Sequence, residues 1–386
     1  MKRINLFLIF LSILFLPVCV FAQDNNVDLI PNAKSGILIE ASTGKIIYEK
    51  NMNEEYAVAS MTKMVAQIII LEQIETGKIK WGDVVTVSKN AADMGGSQIY
   101  ISQGEKITIE DLMKGISMAS GNDATVQMAE VISGTEAKFV ELMNKKVKQL
   151  GLKNTQFKNC TGLDEDGHYS SAYDMAMIAR DLVVNHPEIL KFSSVYEDYL
   201  REDTENKFWL VNTNKLVRFY EGADGLKTGH TDAAGYCLAA TAKRNDLRLI
   251  GIVLGEDDSK VRNSETMSLL DYGFNNLKMN VVKKKGEVID SIKLDKADKY
   301  IVDIILKDDV GIVEFLDNNN HKYSFEVIVD DINLPVKKGD KVGKLIVNEG
   351  NKKVTQGVLT VGDNIKALSY FQLFINSFKD IFSGNI

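Results

Sequence analysis

Apolar positions change period several times along the chain, and each change marks an element. Over residues 36–50, Ile37 and Ile39, then Ile46 and Tyr48, alternate on either side of Ser42-Thr43-Gly44. That spacing predicts a hairpin with one buried face. From Ser60 the period becomes helical: Met64, Val65, Ile68, Ile69, Leu71 and Ile74 recur three and four residues apart, and Gly77 offers a stop. A helix is therefore expected over 60–76. A short strand at 84–87 and a glycine-bearing loop, Met94-Gly95-Gly96-Ser97-Gln98, lead into four helical patterns at 108–119, 123–133, 136–150 and 172–185. From Trp209 strand-like runs return at 222–228, 236–242 and 247–254, and a last helical pattern covers 259–276. Strands, then helices, then strands and a helix predict an α+β domain over 23–279: a helical cluster on a largely antiparallel sheet whose first and last strands meet.

The pattern shifts again near Asn280. Short β-like runs at 288–292, 300–306, 312–315, 323–329 and 343–347, separated by turn residues, predict a small all-β domain over 280–362 without a catalytic cluster. The tail, 363–386, is expected to form an amphipathic helix from Ile365 to Phe382. Leu368, Tyr370, Phe371, Phe374, Ile375, Phe378, Ile381 and Phe382 share one face, opposite Ser369, Gln372, Asn376, Lys379 and Asp380. Interrupted by polar residues, it suits a membrane interface better than a span. At the other end, Lys2 and Arg3, an apolar run from Leu6 to Val20, and Val20-Phe21-Ala22 have the layout of a cleaved signal peptide over 1–22. Lipoprotein processing at Cys19 and an uncleaved anchor are the alternatives. The expected location is the outer face of the cytoplasmic membrane, with peripheral attachment through the C-terminal helix.

Composition is globular, with 45% apolar and 26% charged residues. The formal net charge is −7 over 386 residues, and no basic stripe interleaved with aromatics occurs, which argues against nucleic-acid binding. Past the leader only Cys160 and Cys237 remain, too few for a disulfide framework, so two buried thiols are expected. No His-Glu-x-x-His or paired-cysteine motif calls for a metal, and no cofactor is expected. The acidic run from Asp164 to Asp166 lacks the terminal glutamate of a calcium loop and reads as a solvated loop.

Chemistry is concentrated in three short stretches. Ser60-Met61-Thr62-Lys63 puts a hydroxyl and an amine on one helical face, at a helix start whose backbone N–H groups are unpaired. Ser120-Gly121-Asn122 follows in a tight connection between two helices, and Lys227-Thr228-Gly229 lies before a strand-like run. If Ser60 attacks a carbonyl, Lys63 can take its proton only as a neutral amine, a state favoured by burial and by the nearby charge of Lys227. Lys227, with Thr228, would hold a substrate carboxylate. Ser120 would relay a proton to the departing amine, and Asn122 would orient Lys63 or accept the substrate amide. Gly229 would let a peptide approach as an added strand, and the amides of Ser60 and His230 would stabilise an oxyanion. His230 as the general base of a Ser-His-Asp set is the alternative.

These three motifs in this order, with Ser120-Gly121-Asn122-Asp123-Ala124, Gly151-Leu152, Gly162-Leu163, Asp224 through Thr231 and Ala234-Gly235-Tyr236, resemble the low-molecular-mass penicillin-binding proteins that are D-alanyl-D-alanine carboxypeptidases. The resemblance covers nearly the whole chain. It implies a serine nucleophile at Ser60, a base at Lys63, a relay at Ser120, substrate binding by Lys227 beside the Asn122, Thr228 and His230 read above, and a carboxylate contact from Arg262. It also implies peptidoglycan stem peptides ending in D-Ala-D-Ala as substrates and β-lactams as acylating ligands. DD-endopeptidase activity, weak β-lactamase activity and a non-catalytic cell-wall sensor are the alternatives. Two departures stand out: Val58-Ala59 replaces a usual Pro-Ala, and Asn212-Thr213-Asn214 replaces an Asn-Arg-Asn run.

Overall fold

A computed structural model describes residues 28–316 and 322–375. The predicted leader and the far end of the tail lie outside the described residues. Five strands, β1 (Ser35–Glu40), β2 (Ile46–Lys50), β3 (Ala223–Thr231), β4 (Gly235–Arg244) and β5 (Leu247–Glu256), form an antiparallel sheet in the order β2-β1-β5-β4-β3. The first strand of the chain pairs with the last strand of this sheet, Ile37 opposite Ile252. β3 is an edge strand.

Helices cover both faces. On one side lie α1 (Lys63–Glu75), α2 (Ile109–Met118), α3 (Asn122–Ser133), α4 (Glu136–Gln149) and α5 (Ala172–Asn185); on the other lies α6 (Ser259–Asn276). Alternate strand residues serve the two cores. Ile37, Ile39, Ala239, Ile250 and Ile252 enter the first, and Leu38, Leu238, Ala240, Leu249 and Val253 the second. The hairpin expected to bury one face therefore has β1 buried on both, because α6 closes the side that alternation alone leaves to solvent. Each of these Ile, Leu and Val side chains contributes roughly 1.5–3 kcal/mol of burial. Gly273 lets α6 lie flat on the sheet: a Cβ there would stand 2.4 Å from Leu249 Cδ1.

The start of the predicted first helix differs from expectation. Ala59–Thr62 is a 3₁₀ turn and the α-helix begins at Lys63. In a 3₁₀ turn residues three apart eclipse one another, which brings Ser60 and Lys63 closer to alignment than an α-turn would. α1 then runs through the middle of the helical cluster, buried from Lys63 to Leu71.

α6 leads directly into β6 (Leu277–Lys283), which pairs with β9 (Val310–Phe315). β7 (Val288–Lys293), β8 (Ile301–Leu306), β10 (Tyr323–Val329), β11 (Lys341–Glu349) and β12 (Lys352–Val361) form a second sheet, ordered β7-β8-β12-β11-β10. β6 and β12 were not among the predicted strands. Leu277 and Val313 join the core beneath α6, and Lys45 Nζ donates to the Val313 carbonyl at 3.0 Å, so the β-rich part is packed on the first sheet. The tail helix starts later than its apolar pattern suggests. Ile365 bridges to Val336 and is buried in the β-rich core, and residues 370–375 are helical behind a cap. Ser369 Oγ accepts from Gln372 N and Gln372 Oε1 accepts from Ser369 N, a reciprocal capping box. Tyr370, Phe371 and Phe374 beyond it are exposed, at 94%, 72% and 62%.

Gly162 carries the tightest contact. At φ +84°, a Cβ there would fall 1.9 Å from the Ala59 carbonyl oxygen and 2.9 Å from Ser60 N. Gly162→Ala should destabilise the protein by more than the ~1–2 kcal/mol of left-handed strain alone. Gly167→Ala, also at positive φ but facing only the end of Lys158, is the comparison. Calorimetry should show the larger fall in Tm for Gly162→Ala, and equal shifts would contradict the contact.

Candidate active site

The turn Ala59–Thr62, the connection between α2 and α3, and edge strand β3 meet at one cleft. Two non-glycine residues in it, Ala59 (φ +46°) and Ser120 (φ +63°), adopt left-handed conformations, strain of the kind that functional sites retain. β3 crosses over the turn so closely that a Cβ at Gly229 would stand 2.7 Å from the Val58 carbonyl oxygen and 3.2 Å from Ala59 Cβ. The glycine read as admitting a peptide is thus required first by the protein's own backbone.

Lys63 Nζ lies 2.8 Å from Ser60 Oγ and donates to the Thr161 carbonyl at 2.6 Å. The amine is fully buried, and desolvation holds its pKa down at about 7. Burial, rather than the charge of Lys227 invoked above, accounts for that depression; Cys160 and Asp123 act weakly in the opposite sense. The effect of one lysine on the other falls on Lys227, which burial, Lys63 and Arg262 together push well below the usual range.

Thr161 was missed in the sequence. Asn159 Oδ1 accepts from Gly162 N at 2.8 Å and from Thr161 N at 3.3 Å, a side-chain turn that fixes this loop beside Lys63. An Asn three residues before a Gly was the available signal. The orientation of Lys63 thus comes from this carbonyl and not from Asn122. Asn122 Nδ2 donates to Gly95 O at 2.8 Å, and its backbone N donates to Ser97 O, so the loop 94–98 does flank the cleft. Asn122 Oδ1 and Ser120 Oγ, both buried, have no hydrogen-bond partner among the described residues. Two polar atoms therefore remain available to a substrate, since burying them unpaired is costly. Asp123, fully buried, accepts from the backbone N–H groups of Ile99, Ile101 and Ala124 and holds the adjoining loop.

Beneath the turn sits His168, for which no sequence pattern argued. Lys158 N donates to Nδ1 at 3.2 Å, so the ring proton is on Nε2 and is donated to Thr62 Oγ1 at 2.8 Å. Burial lowers its pKa to about 4 and keeps it neutral.

On β3, Lys227 Nζ donates to Thr228 O at 2.9 Å, and Thr228 Oγ1 donates to Thr213 Oγ1 at 2.8 Å. Arg262, on the first turn of α6, directs Nε and Nη2 to Asn263 Oδ1 at 3.1 and 2.8 Å, with its guanidinium 6.0 Å from the Tyr236 ring. His230 is exposed and stacks on Tyr236 with ring centres 4.0 Å apart. Among the described residues it makes no hydrogen bond to Ser60, whose hydroxyl is instead in contact with the Lys63 amine. Cys160 and Cys237 are free and buried, and the acidic loop is tied to the end of β3 and to its own stem: Thr231 Oγ1 donates to Asp164 and Asn159 Nδ2 donates to Glu165.

A half-buried serine held against a buried lysine amine fits several acyl-transfer enzymes, and comparison with known proteins narrows it. The family model described as D-alanyl-D-alanine carboxypeptidase, Peptidase S11, matches residues 23–258. The chain belongs to the D-alanyl-D-alanine carboxypeptidase family. The C-terminal domain model of penicillin-binding protein 5 matches residues 278–367 of this carboxypeptidase-family chain. The D-alanyl-D-alanine carboxypeptidase DacF of Bacillus subtilis (strain 168) is 41% identical over 98% of this chain and 99% of its own length. Among solved structures, penicillin-binding protein 5 of Haemophilus influenzae superimposes with a TM-score of 0.68 at 32% identity, covering 87% of this chain and 98% of that one. Penicillin-binding protein D2 of Listeria monocytogenes in its ampicillin-bound form does so at 0.57 and 30%, over 63% and 98%.

A neutral Lys63 makes acylation pH-dependent with a defined sign. The amine is protonated below about 7 and free above it, so the rate of acylation by a β-lactam should climb close to tenfold per pH unit below 7 and level off above. Stopped-flow acylation between pH 5 and 9 checks this; a rate independent of pH would contradict it.

Proposed function

We propose that this protein removes the terminal D-alanine from peptidoglycan stem peptides through an acyl-enzyme on Ser60, and that β-lactams acylate the same oxygen. The observation that carries the reading is the 2.8 Å contact between Ser60 Oγ and a fully buried Lys63 amine whose pKa is lowered to about 7. Ser60 Oγ attacks the carbonyl of the penultimate D-alanine while its proton passes to Lys63 Nζ. The proton then travels from Lys63 through Ser120 Oγ to the amide nitrogen as the C–N bond breaks, and D-alanine leaves. Water, activated by the regenerated amine, attacks the ester and restores the Ser60 hydroxyl. Asn122 Oδ1 takes the substrate amide, Lys227 and Thr228 take the terminal carboxylate with Arg262 behind them, and His230 offers its backbone N–H.

Release of free D-alanine from diacetyl-Lys-D-Ala-D-Ala, blocked by penicillin pretreatment, is the expected result with the purified protein. Ser60→Ala should lose covalent penicillin labelling, and retained labelling would overturn the assignment.

We propose also that the chain is exported and lies on the outer face of the cytoplasmic membrane, held by its C-terminal helix. The exposed Tyr370, Phe371 and Phe374 support this. Among the described residues no helix is long and apolar enough to cross a membrane. Because Ile365 belongs to the β-rich core and Leu368 N donates to Lys296 O, the truncation that tests this removes 369–386. It should release the protein from membranes with activity on a soluble peptide unchanged, whereas continued sedimentation with membranes would point to the leader.

A further inference from the structure

The imidazole of His168 joins two elements that build the cleft, although among the described residues it bonds to neither Ser60 nor Lys63 itself. It is 8% exposed and packs against Phe157, ring centres 5.3 Å apart. On one side Nε2 donates to Thr62 Oγ1 at 2.8 Å. Thr62 is fully buried and ends the turn that carries Ser60, directly before Lys63. On the other side Nδ1 accepts from Lys158 N at 3.2 Å. That bond closes the loop 158–168, in which the Thr161 carbonyl accepts from Lys63 Nζ at 2.6 Å and lies 3.5 Å from Ser60 Oγ.

Neither element is fixed by its own backbone. The turn 59–62 has no side-chain cap, and 3₁₀ hydrogen bonds are poorly aligned. The loop stem is pinned by isolated bridges, Gln156 to Tyr169 and Tyr56 to Ser170, and His168 carries the closure further toward Thr161. A neutral imidazole suits this place because it presents one acceptor and one donor on a rigid ring. Burial keeps it neutral, against the weaker pull of Glu165 and Asp164. A charged ring would instead aim a second N–H at Lys158 N. Without the ring, the Thr62 hydroxyl would lose its partner in a site closed to water, and the turn and the loop would no longer share an anchor.

We infer that His168 is a positioning residue for acylation: by tying Thr62 to the loop 158–168 it sets the Thr161 carbonyl against the Lys63 amine and so aligns that amine with Ser60 Oγ. The ring takes no proton and touches no substrate. Its contribution falls on the step in which Ser60 gives up its proton, not on the affinity of the cleft for what it binds. The inference rests on the acyl-enzyme reading above.

The test is stopped-flow acylation by a chromogenic cephalosporin, resolved into the Kd of the non-covalent complex and the first-order acylation rate, for wild type, His168→Phe, His168→Gln, Thr62→Val and the double variant Thr62→Val/His168→Phe. Phenylalanine keeps the ring's bulk against Phe157 and removes both nitrogens, whereas glutamine keeps an acceptor and a donor on either side of one carbon, as the imidazole does. His168→Phe and Thr62→Val should each slow acylation by about tenfold or more with Kd within about twofold of wild type. His168→Gln should stay within about threefold of wild type, and the double variant should be no slower than His168→Phe, because both changes remove one contact. The rate is read on the fraction that labels, so a loss of folded protein lowers the amplitude and leaves the rate constant to report alignment; where His168→Phe does not fold, Thr62→Val decides. Wild-type rates in the labelled fraction of Thr62→Val or His168→Phe, or losses that simply multiply in the double variant, would overturn the inference. A wild-type protein that never labels removes the acyl-enzyme reading itself, whereas normal labelling with unaffected variants removes only the role of His168.

Discussion

The burial of one lysine amine is the constraint on which the rest of this structure depends. Lowering Lys63 from 10.5 to about 7 corresponds to roughly 5 kcal/mol of preference for the neutral form, at 1.36 kcal/mol per unit. Only a thick enclosure can impose it, and here the enclosure is α1 itself, buried from Lys63 to Leu71, with the sheet on one side and helices on the others. The same enclosure forces backbone against backbone at the nucleophile turn. Gly162 and Gly229 are glycines because the loop and the strand that seal Lys63 pass within van der Waals reach of residues 58–61.

A second consequence concerns the division of labour between the two lysines. Both are buried, yet their surroundings differ: Lys63 meets a hydroxyl and a carbonyl, while Lys227 meets a carbonyl on an edge strand, with Lys63 and Arg262 as like-charged neighbours. In the proposed reaction an arriving carboxylate relieves that repulsion, so Lys227 is charged when substrate is present, while Lys63 starts neutral and holds the Ser60 proton only until it is passed on. Electrostatic complementarity is then completed by the substrate, as expected where binding and catalysis draw on adjacent groups.

Much of this was legible in the chain, and the reasons differ by element. α6 was placed to the residue, at 259–276, because its apolar positions and the preceding strand leave little freedom. The three motifs announced the contact between Ser60 and Lys63 and the strand facing them, since spacing along a turn or a strand is a local property. What escaped was set by distant backbone. Thr161 acts through its carbonyl, which carries no side-chain signature, and His168 acts through a threonine more than a hundred residues earlier. The full burial of β1 depended on α6, over two hundred residues away. Burial was foreseen as lowering the Lys63 pKa, but the further push expected from Lys227 is not among its causes: a neighbouring charge can be read from motifs, whereas which influence prevails depends on the entire packing around the amine.

The most direct test of the central claim is an NMR titration of Lys63 in the folded, ligand-free protein, using lysine labelled with ¹³C at Cε and Lys63→Arg to assign the resonance. A midpoint near pH 7 is the result this account requires. A Lys63 amine that stays protonated beyond pH 9 would contradict it, for a charged ammonium 2.8 Å from Ser60 could hold the hydroxyl but could not take its proton.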